Sequence, residues 1–219
     1  MFLTKKMQVL VYGEWKNQSK NVKSFFTATY KESEKTAVVP RNLSGDLKFL
    51  FVGSLTSGKQ PLYAVKLIEK LRNNNHDVSL FIYGDGDERE KLSEYILSHE
   101  LSNFVKIKDT INRVQLIDVY KENHFLLLPS KSEGWPKVVA EAMFWGCLPI
   151  ATKISCIPNM LDYGNRGILL SNSFDENLNG IERFLQNQEF YNDKVANAIQ
   201  WSRKYTTDRF EYEIKKLLL

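Results

Sequence analysis

The sequence predicts an α/β fold, a doubly wound, Rossmann-like parallel sheet of six strands with a helical C-terminal tail. From Asp46 onward, short β-rich runs alternate with segments of helical period, the rhythm of βαβ units. The run Phe125-Leu126-Leu127-Leu128 is apolar at every position, as befits a parallel strand covered on both faces. From Glu176 to Leu219 the pattern is helical throughout.

In chain order, residues 1–45 stand outside that rhythm. Met7 to Val11 and Val22 to Phe26 are candidate strands, while Asn17 to Lys20 and Lys31 to Lys35 are polar and Pro40 to Gly45 carries loop signals. The expected sheet strands are Leu47 to Val52, Val78 to Tyr83, Phe104 to Ile107, Phe125 to Leu128, Leu148 to Ala151 and Gly167 to Leu170. Between them Leu62, Val65, Ile68 and Leu71 form one helical stripe, and Val138, Ala142 and Met143 another. In the tail, Leu178, Ile181 and Leu185 make one seam and Phe210, Ile214 and Leu217 a later one, which predicts two or three helices. The chain therefore divides into residues 1–45, which read as a piece of another domain with its linker, and a main domain at 46–219.

Composition excludes several classes of function. With 219 residues, 43% apolar and 26% charged, the chain is ordinary for a globular protein. A net charge of +4 is mildly basic, but Lys and Arg are scattered instead of gathered in a stripe with aromatics, so no nucleic-acid partner is expected and an anionic small molecule suffices. Cys147 and Cys156 lack metal-ligand spacing and disulfide density, which suggests a reducing, cytoplasmic compartment. The longest apolar stretch, Val138 to Ala151, is interrupted by Glu141 and is shorter than the ~20 residues that span a bilayer, so no transmembrane segment is expected and any membrane contact is peripheral.

The chemistry-bearing residues cluster at strand ends. Glu133 and Glu141 stand eight positions apart across an expected strand-to-helix turn, with Pro136 expected at the first helical position. Free N–H groups near Lys137, Val138 and Val139 would then face the carboxyl end of the sheet, where the helix dipole favours an anion. The bland alternative is one acid helping the helix dipole and one solvated acid.

Gly53 to Lys59 nearly matches a Walker A loop but fails at Gln60, where a Ser or Thr hydroxyl is required. Lys59 remains either a phosphate contact or a solvated loop lysine. Asp85 and Asp87 could suggest a metal site, but Asp87 with Glu90 reads more simply as a capping box, and Gly84-Asp85-Gly86 lacks the third glycine of a dinucleotide fingerprint. His76, His99 and His124 are too far apart for a zinc pair or a triad. Trp135, between Gly134 and Pro136, is open to either a core or a pocket-lining role.

Taken together, Phe51-Val52-Gly53-Ser54-Leu55 with Lys59, Ile82-Tyr83-Gly84-Asp85-Gly86, Leu128-Pro129-Ser130 with Glu133-Gly134-Trp135-Pro136 and Glu141-Ala142-Met143, and Gly146-Cys147-Leu148-Pro149-Ile150-Ala151 resemble the donor-binding half of retaining family-4 glycosyltransferases of the GT-B fold, over Leu47 to Leu170. The resemblance implies a nucleotide-sugar donor, UDP- or GDP-linked, and transfer with retention to a glycan or lipid-linked acceptor. It implies no cofactor and no metal. Carried over by motif, Glu133 matches the first glutamate of Glu-x7-Glu, which contacts the donor sugar, Glu141 the second, which grips ribose, and Lys59 the diphosphate lysine. Glu133 and Lys59 are thus the expected catalytic pair. Gly53, Ser54, Gly84, Lys108, Thr110, Gly134, Trp135, Pro136, Lys137 and Val138 complete the expected donor site.

Ser54 stands where the family commonly has arginine, Asp109 lies near where it has a glycine after the third strand, and Pro136 replaces the second glycine of Glu-Gly-Phe-Gly. The acceptor domain of that family precedes the donor domain and exceeds the 45 residues available, so such a domain is expected to be missing and this chain alone to be inactive. A noncatalytic nucleotide-binding module and, further off, a P-loop NTPase are the alternatives.

Overall fold

The structure is a computed structural model that describes residues 7–13 and 19–218; residues 1–6, 14–18 and 219, including part of the polar run from Asn17, lie outside the described residues. Strands β1 (Val9–Tyr12) and β2 (Val22–Phe25) pair in parallel as a small separate sheet. The main domain runs β3 (Leu47–Val52), α1 (Pro61–Asn73), β4 (Val78–Tyr83), α2 (Arg89–Ser98), β5 (Val105–Lys108), α3 (Arg113–Glu122) and β6 (Phe125–Leu128). It continues with α4 (Lys137–Phe144), β7 (Leu148–Thr152), α5 (Ile157–Met160), β8 (Ile168–Leu170), α6 (Phe174–Leu185), α7 (Gln188–Ser202) and α8 (Thr207–Leu218). The six-stranded sheet has the order β5-β4-β3-β6-β7-β8, parallel throughout.

This is the predicted doubly wound, six-stranded parallel sheet with a helical tail. The chain winds outward from β3 to β5, then returns to β6 on the other side of β3. At that reversal the connections after β3 and β6 leave in opposite directions and open a crevice at the carboxyl ends of the strands.

Alternation within each strand sends side chains to two apolar layers. Phe49, Phe51, Leu80, Ile82, Phe125 and Leu127 pack with residues of α1, α2 and α6. Leu50, Leu126, Leu128 and Ala151 pack on the opposite side with residues of α4 and α5 and with Tyr30 and Tyr120. Burial on both faces explains why β6 is apolar at every position.

The segment following β2 is stitched to this domain. Tyr30 is buried with its ring centroid 4.2 Å from that of Phe144, and its hydroxyl donates to the Ser202 carbonyl at 3.1 Å. Arg41 donates to the carbonyls of Gly146 at 2.7 Å, Tyr120 at 3.0 Å and Lys121.

Two local expectations are corrected. The Asp87–Glu90 capping box does not form: Glu88 occupies the cap position without a side-chain cap bond, and its amide donates to the Leu55 carbonyl at 2.9 Å. Contact between neighbouring loops, not a cap, sets that helix start. Pro136 precedes the helix instead of opening it, with φ −74° and ψ 92°, and Lys137 is the first helical residue.

Candidate functional site

Two loops at the carboxyl edge of the sheet interlock. The Gly53 amide donates to the Tyr83 carbonyl at 3.1 Å, and the Leu55 amide to Asp85 at 2.9 Å. A side chain at Gly84 would bring its Cβ within 1.9 Å of the Gly53 carbonyl oxygen, so glycine is required there by close backbone approach. The G-x-G pattern is thereby explained by loop packing.

Above these loops lies a cavity of about 310 Å³ lined by Gly53, Ser54, Gly84 and Thr110 of the expected site. It is also lined by Tyr83 and Asp85 of the motif after the second sheet strand, and by Ile111 and Leu116, which the sequence did not single out. Lys108 does not join it. Strand alternation at the β5 edge leaves Lys106 and Lys108 exposed, so the contribution after β5 comes from Thr110 and Ile111. Arg89 brings a guanidinium to this rim, where it donates to the Gly84 carbonyl at 3.1 Å and pairs with Asp109 at 2.9 Å.

The Gly53–Lys59 loop does not form a phosphate cradle of backbone amides. The amides of Lys59 and Gln60 both donate to the Thr56 carbonyl, at 3.0 and 3.1 Å, and Gln60 takes a left-handed φ of 54° before Pro61. The charged group at the end of this loop, the Lys59 ammonium, pairs with Glu133 at 2.6 Å. The loops themselves are joined where the Lys131 amide donates to the Gly58 carbonyl at 2.8 Å. Lys59 is partly exposed and Glu133 is 8% exposed, so the cation faces outward over a mostly buried carboxylate.

Helix α4 begins beside Glu133. The Val139 amide is taken by the Pro136 carbonyl at 3.0 Å, which removes it from the expected set of free donors. Lys137 and Val138 precede the first intrahelical bond and leave their amides at the positive end of the helix dipole.

Glu141, one turn further on, is held from both sides. Thr29 donates to its Oε1 at 2.5 Å and Tyr120 to its Oε2 at 2.9 Å. A carboxylate has about four acceptor positions, so two such bonds fix its orientation without exhausting it. Burial, then the nearby Glu141 charge, pushes the Tyr120 hydroxyl well above its ordinary pKa and keeps it a donor. Neither Thr29 nor Tyr120 carried a motif.

Gly134 lies with Glu133 along a neighbouring cavity of about 480 Å³. Trp135 turns away from the Lys59 loop into an aromatic cluster, stacked on Trp201 with centroids 6.2 Å apart. Both readings left open for Trp135 are therefore partly met, since it packs in a cluster and lines a different cavity, of about 330 Å³.

Fold and site together define a doubly wound α/β domain with a lysine, a carboxylate pair and a helix start gathered at the switch point of its sheet, where this class binds ligands. The chain belongs to the glycosyl transferases group 1 family, whose model matches residues 32–201. It is 29% identical over 188 residues to an uncharacterized glycosyltransferase of Haemophilus influenzae, covering 83% of this chain and 50% of that protein. The chain thus spans about half the length of the curated relatives it matches.

Among solved structures, a sucrose-phosphate synthase from Thermosynechococcus elongatus superposes with a TM-score of 0.79 at 16% identity, over 96% of this chain and 57% of that one. TarM of S. aureus, solved with Fondaparinux, alpha-GlcNAc-glycerol and UDP, superposes at 0.76 with 15% identity, over 91% of this chain and 40% of that one. Among the described residues no helix is long and apolar enough to cross a membrane.

Proposed function

We propose that this chain is the donor-binding half of a retaining family-4 glycosyltransferase that transfers a hexosyl-type sugar from a UDP- or GDP-linked donor to a glycan or lipid-linked acceptor. The observation that carries the reading is the convergence of Lys59, Glu133 and the start of α4 at the carboxyl edge of the sheet.

In this reading the nucleoside lies along the Gly53, Ser54, Gly84 and Thr110 cavity and its ribose hydroxyls donate to Glu141. The diphosphate draws Lys59 away from Glu133 and rests against the amides of Lys137 and Val138. As the glycosidic bond breaks, negative charge grows on the leaving diphosphate, and Lys59 with the helix dipole stabilises it. Glu133, released from Lys59, is then available to the donor sugar. The charge is met by protein groups, so the reading calls for no metal or cofactor.

TarM, which was solved with UDP, shares the fold, and this likeness supports a nucleotide-linked donor. Polysaccharide or glycoconjugate synthesis on the cytoplasmic side, with peripheral membrane contact, is the setting the reading implies.

The chain spans about half the length of its curated relatives, and most of the positioning of the acceptor is assigned to the part of such proteins it does not cover, so the chain alone is expected to bind donor but transfer essentially no sugar. Well-oriented reactants can lower a barrier by roughly 7–11 kcal/mol, a contribution lost when the groups that aim the acceptor hydroxyl at the donor are incomplete. The test incubates UDP- and GDP-sugars with glycan and lipid-linked acceptors, using this chain and a longer protein with an added N-terminal domain, and reads the product anomer by NMR. Retained configuration from the longer protein only is expected. Inverted product would contradict the mechanism, and equal transfer by both proteins the division of labour.

A further inference from the structure

The cavity of about 330 Å³ beside Trp135 has no part in the donor chemistry. Its volume lies within the range of about 300–1,000 Å³ typical of small-molecule sites. One wall is aromatic: Trp201 stacks on Trp135, and the Tyr205 ring lies 4.5 Å from Trp201 and 4.8 Å from Phe26. The indole Nε1 of Trp135 has no acceptor among the described residues.

The other wall is polar. The Asp162 carboxylate stands 3.5 Å from the Arg166 guanidinium, which itself lies 5.3 Å over the Trp201 ring. Asp162 and Tyr163 are consecutive non-glycine residues in the left-handed region, with φ of 47° and 51°, a backbone that persists only where the surroundings enforce it. Tyr163 is 71% exposed at the rim.

We propose that this cavity is a subsite for a pyranose ring of the acceptor glycan. A pyranose presents a C–H face that packs on an indole and vicinal hydroxyls that need an acceptor and a donor a few ångströms apart. Asp162 and Arg166 supply both, and their mutual pairing leaves no surplus charge to favour a phosphate. The place also fits. Gly13, Cys156 and Asn159 line both this cavity and the one bordered by Glu133, so a ring seated here adjoins the carboxylate assigned to the donor sugar. Cys156 braces the shared wall by donating to the Gly134 carbonyl at 3.0 Å. The acceptor role rests on the transferase reading; binding of a sugar at this place does not.

The experiment titrates this chain with methyl α-glucopyranoside, methyl α-galactopyranoside and methyl N-acetyl-α-glucosaminide, following tryptophan fluorescence and saturation-transfer NMR, with and without UDP. UDP affinity is measured separately by calorimetry. At least one glycoside is expected to saturate whether or not UDP is bound. Asp162→Asn, at a half-buried position, and Tyr163→Ala, at an exposed one, should each weaken it about tenfold, the scale of a lost charge-assisted bond or ring contact, and leave UDP affinity unchanged. UDP binding without any saturable glycoside binding overturns the subsite and leaves the donor reading intact. Glycoside binding indifferent to both substitutions also overturns it. Glycoside binding that is sensitive to them, in a chain with no affinity for UDP or GDP, sustains the subsite and removes the donor reading.

Discussion

Glu141 shows how much of a site residue's behaviour comes from partners distant in sequence. Its spacing from Glu133 was legible, because both flank one strand-to-helix turn. Thr29 and Tyr120 were not, because they arrive from the segment after β2 and from α3 and become neighbours only when the sheet closes. Losing the Tyr120 bond leaves a half-buried carboxylate short of a donor, at a cost of about 1–3 kcal/mol. Tyr120→Phe is therefore expected to weaken nucleoside diphosphate binding without unfolding the chain, and Glu141→Ala to weaken it further; calorimetry checks the order.

His124 gives a pH signature at the same scale. Its Nδ1 accepts the Lys48 amide at 3.1 Å while its Nε2 faces the Asn42 carbonyl at 3.1 Å, and burial lowers its pKa below the usual histidine value. A histidine whose folded pKa is depressed binds more protons unfolded, so its stability contribution is complete above about pH 6.5 and falls as pH drops through the folded pKa. Denaturant midpoints measured from pH 7.5 down to 5.5 should decline, and His124→Gln should flatten the decline.

Among the elements, the strands and long helices were the legible part. Buried apolar runs and helical stripes report directly on the two core layers, and the tail resolves into α6, α7 and α8. Starts of elements were less legible. Asp87 and Glu90 have capping-box spacing, but Glu88 takes the cap position and its amide is tied to the Leu55 carbonyl of the neighbouring loop, which moves the helix start one residue past the expected cap. Pro136 suits a first helical turn, yet its carbonyl accepts the Val139 amide from one position earlier.

The same loop-to-loop contact sets a prediction. Gly84→Ala places a methyl against the Gly53 carbonyl, a backbone atom that no side-chain rotation can move aside. The substitution should cost about 1–3 kcal/mol, the usual scale of overpacking, and lower the melting temperature of the whole domain.

For the whole molecule, the alternating pattern divided the chain at residue 45, but packing does not stop there. Tyr30 is inside the core and Arg41 satisfies three carbonyls of the main domain. No periodicity could announce this, because an irregular segment buries isolated residues without repeating them. Removal of residues 1–21 is expected to leave a cooperative unfolding transition. Removal of residues 1–44 is expected to lower its midpoint markedly, since it opens a cavity at Tyr30 and strands the carbonyls that Arg41 satisfies. Calorimetric melting of the two truncations compares them directly.

The central claim is that the crevice at the switch point holds a diphosphate through Lys59. Isothermal titration of UDP, GDP and their unphosphorylated nucleosides into the chain and into Lys59→Ala tests it most directly. One diphosphate should bind the parent chain, weaken on raising salt, and weaken roughly tenfold or more in Lys59→Ala, while the weaker binding of its nucleoside stays unchanged. A folded parent chain that binds neither diphosphate, or a Lys59→Ala chain that binds diphosphate as well as the parent does, would contradict the account.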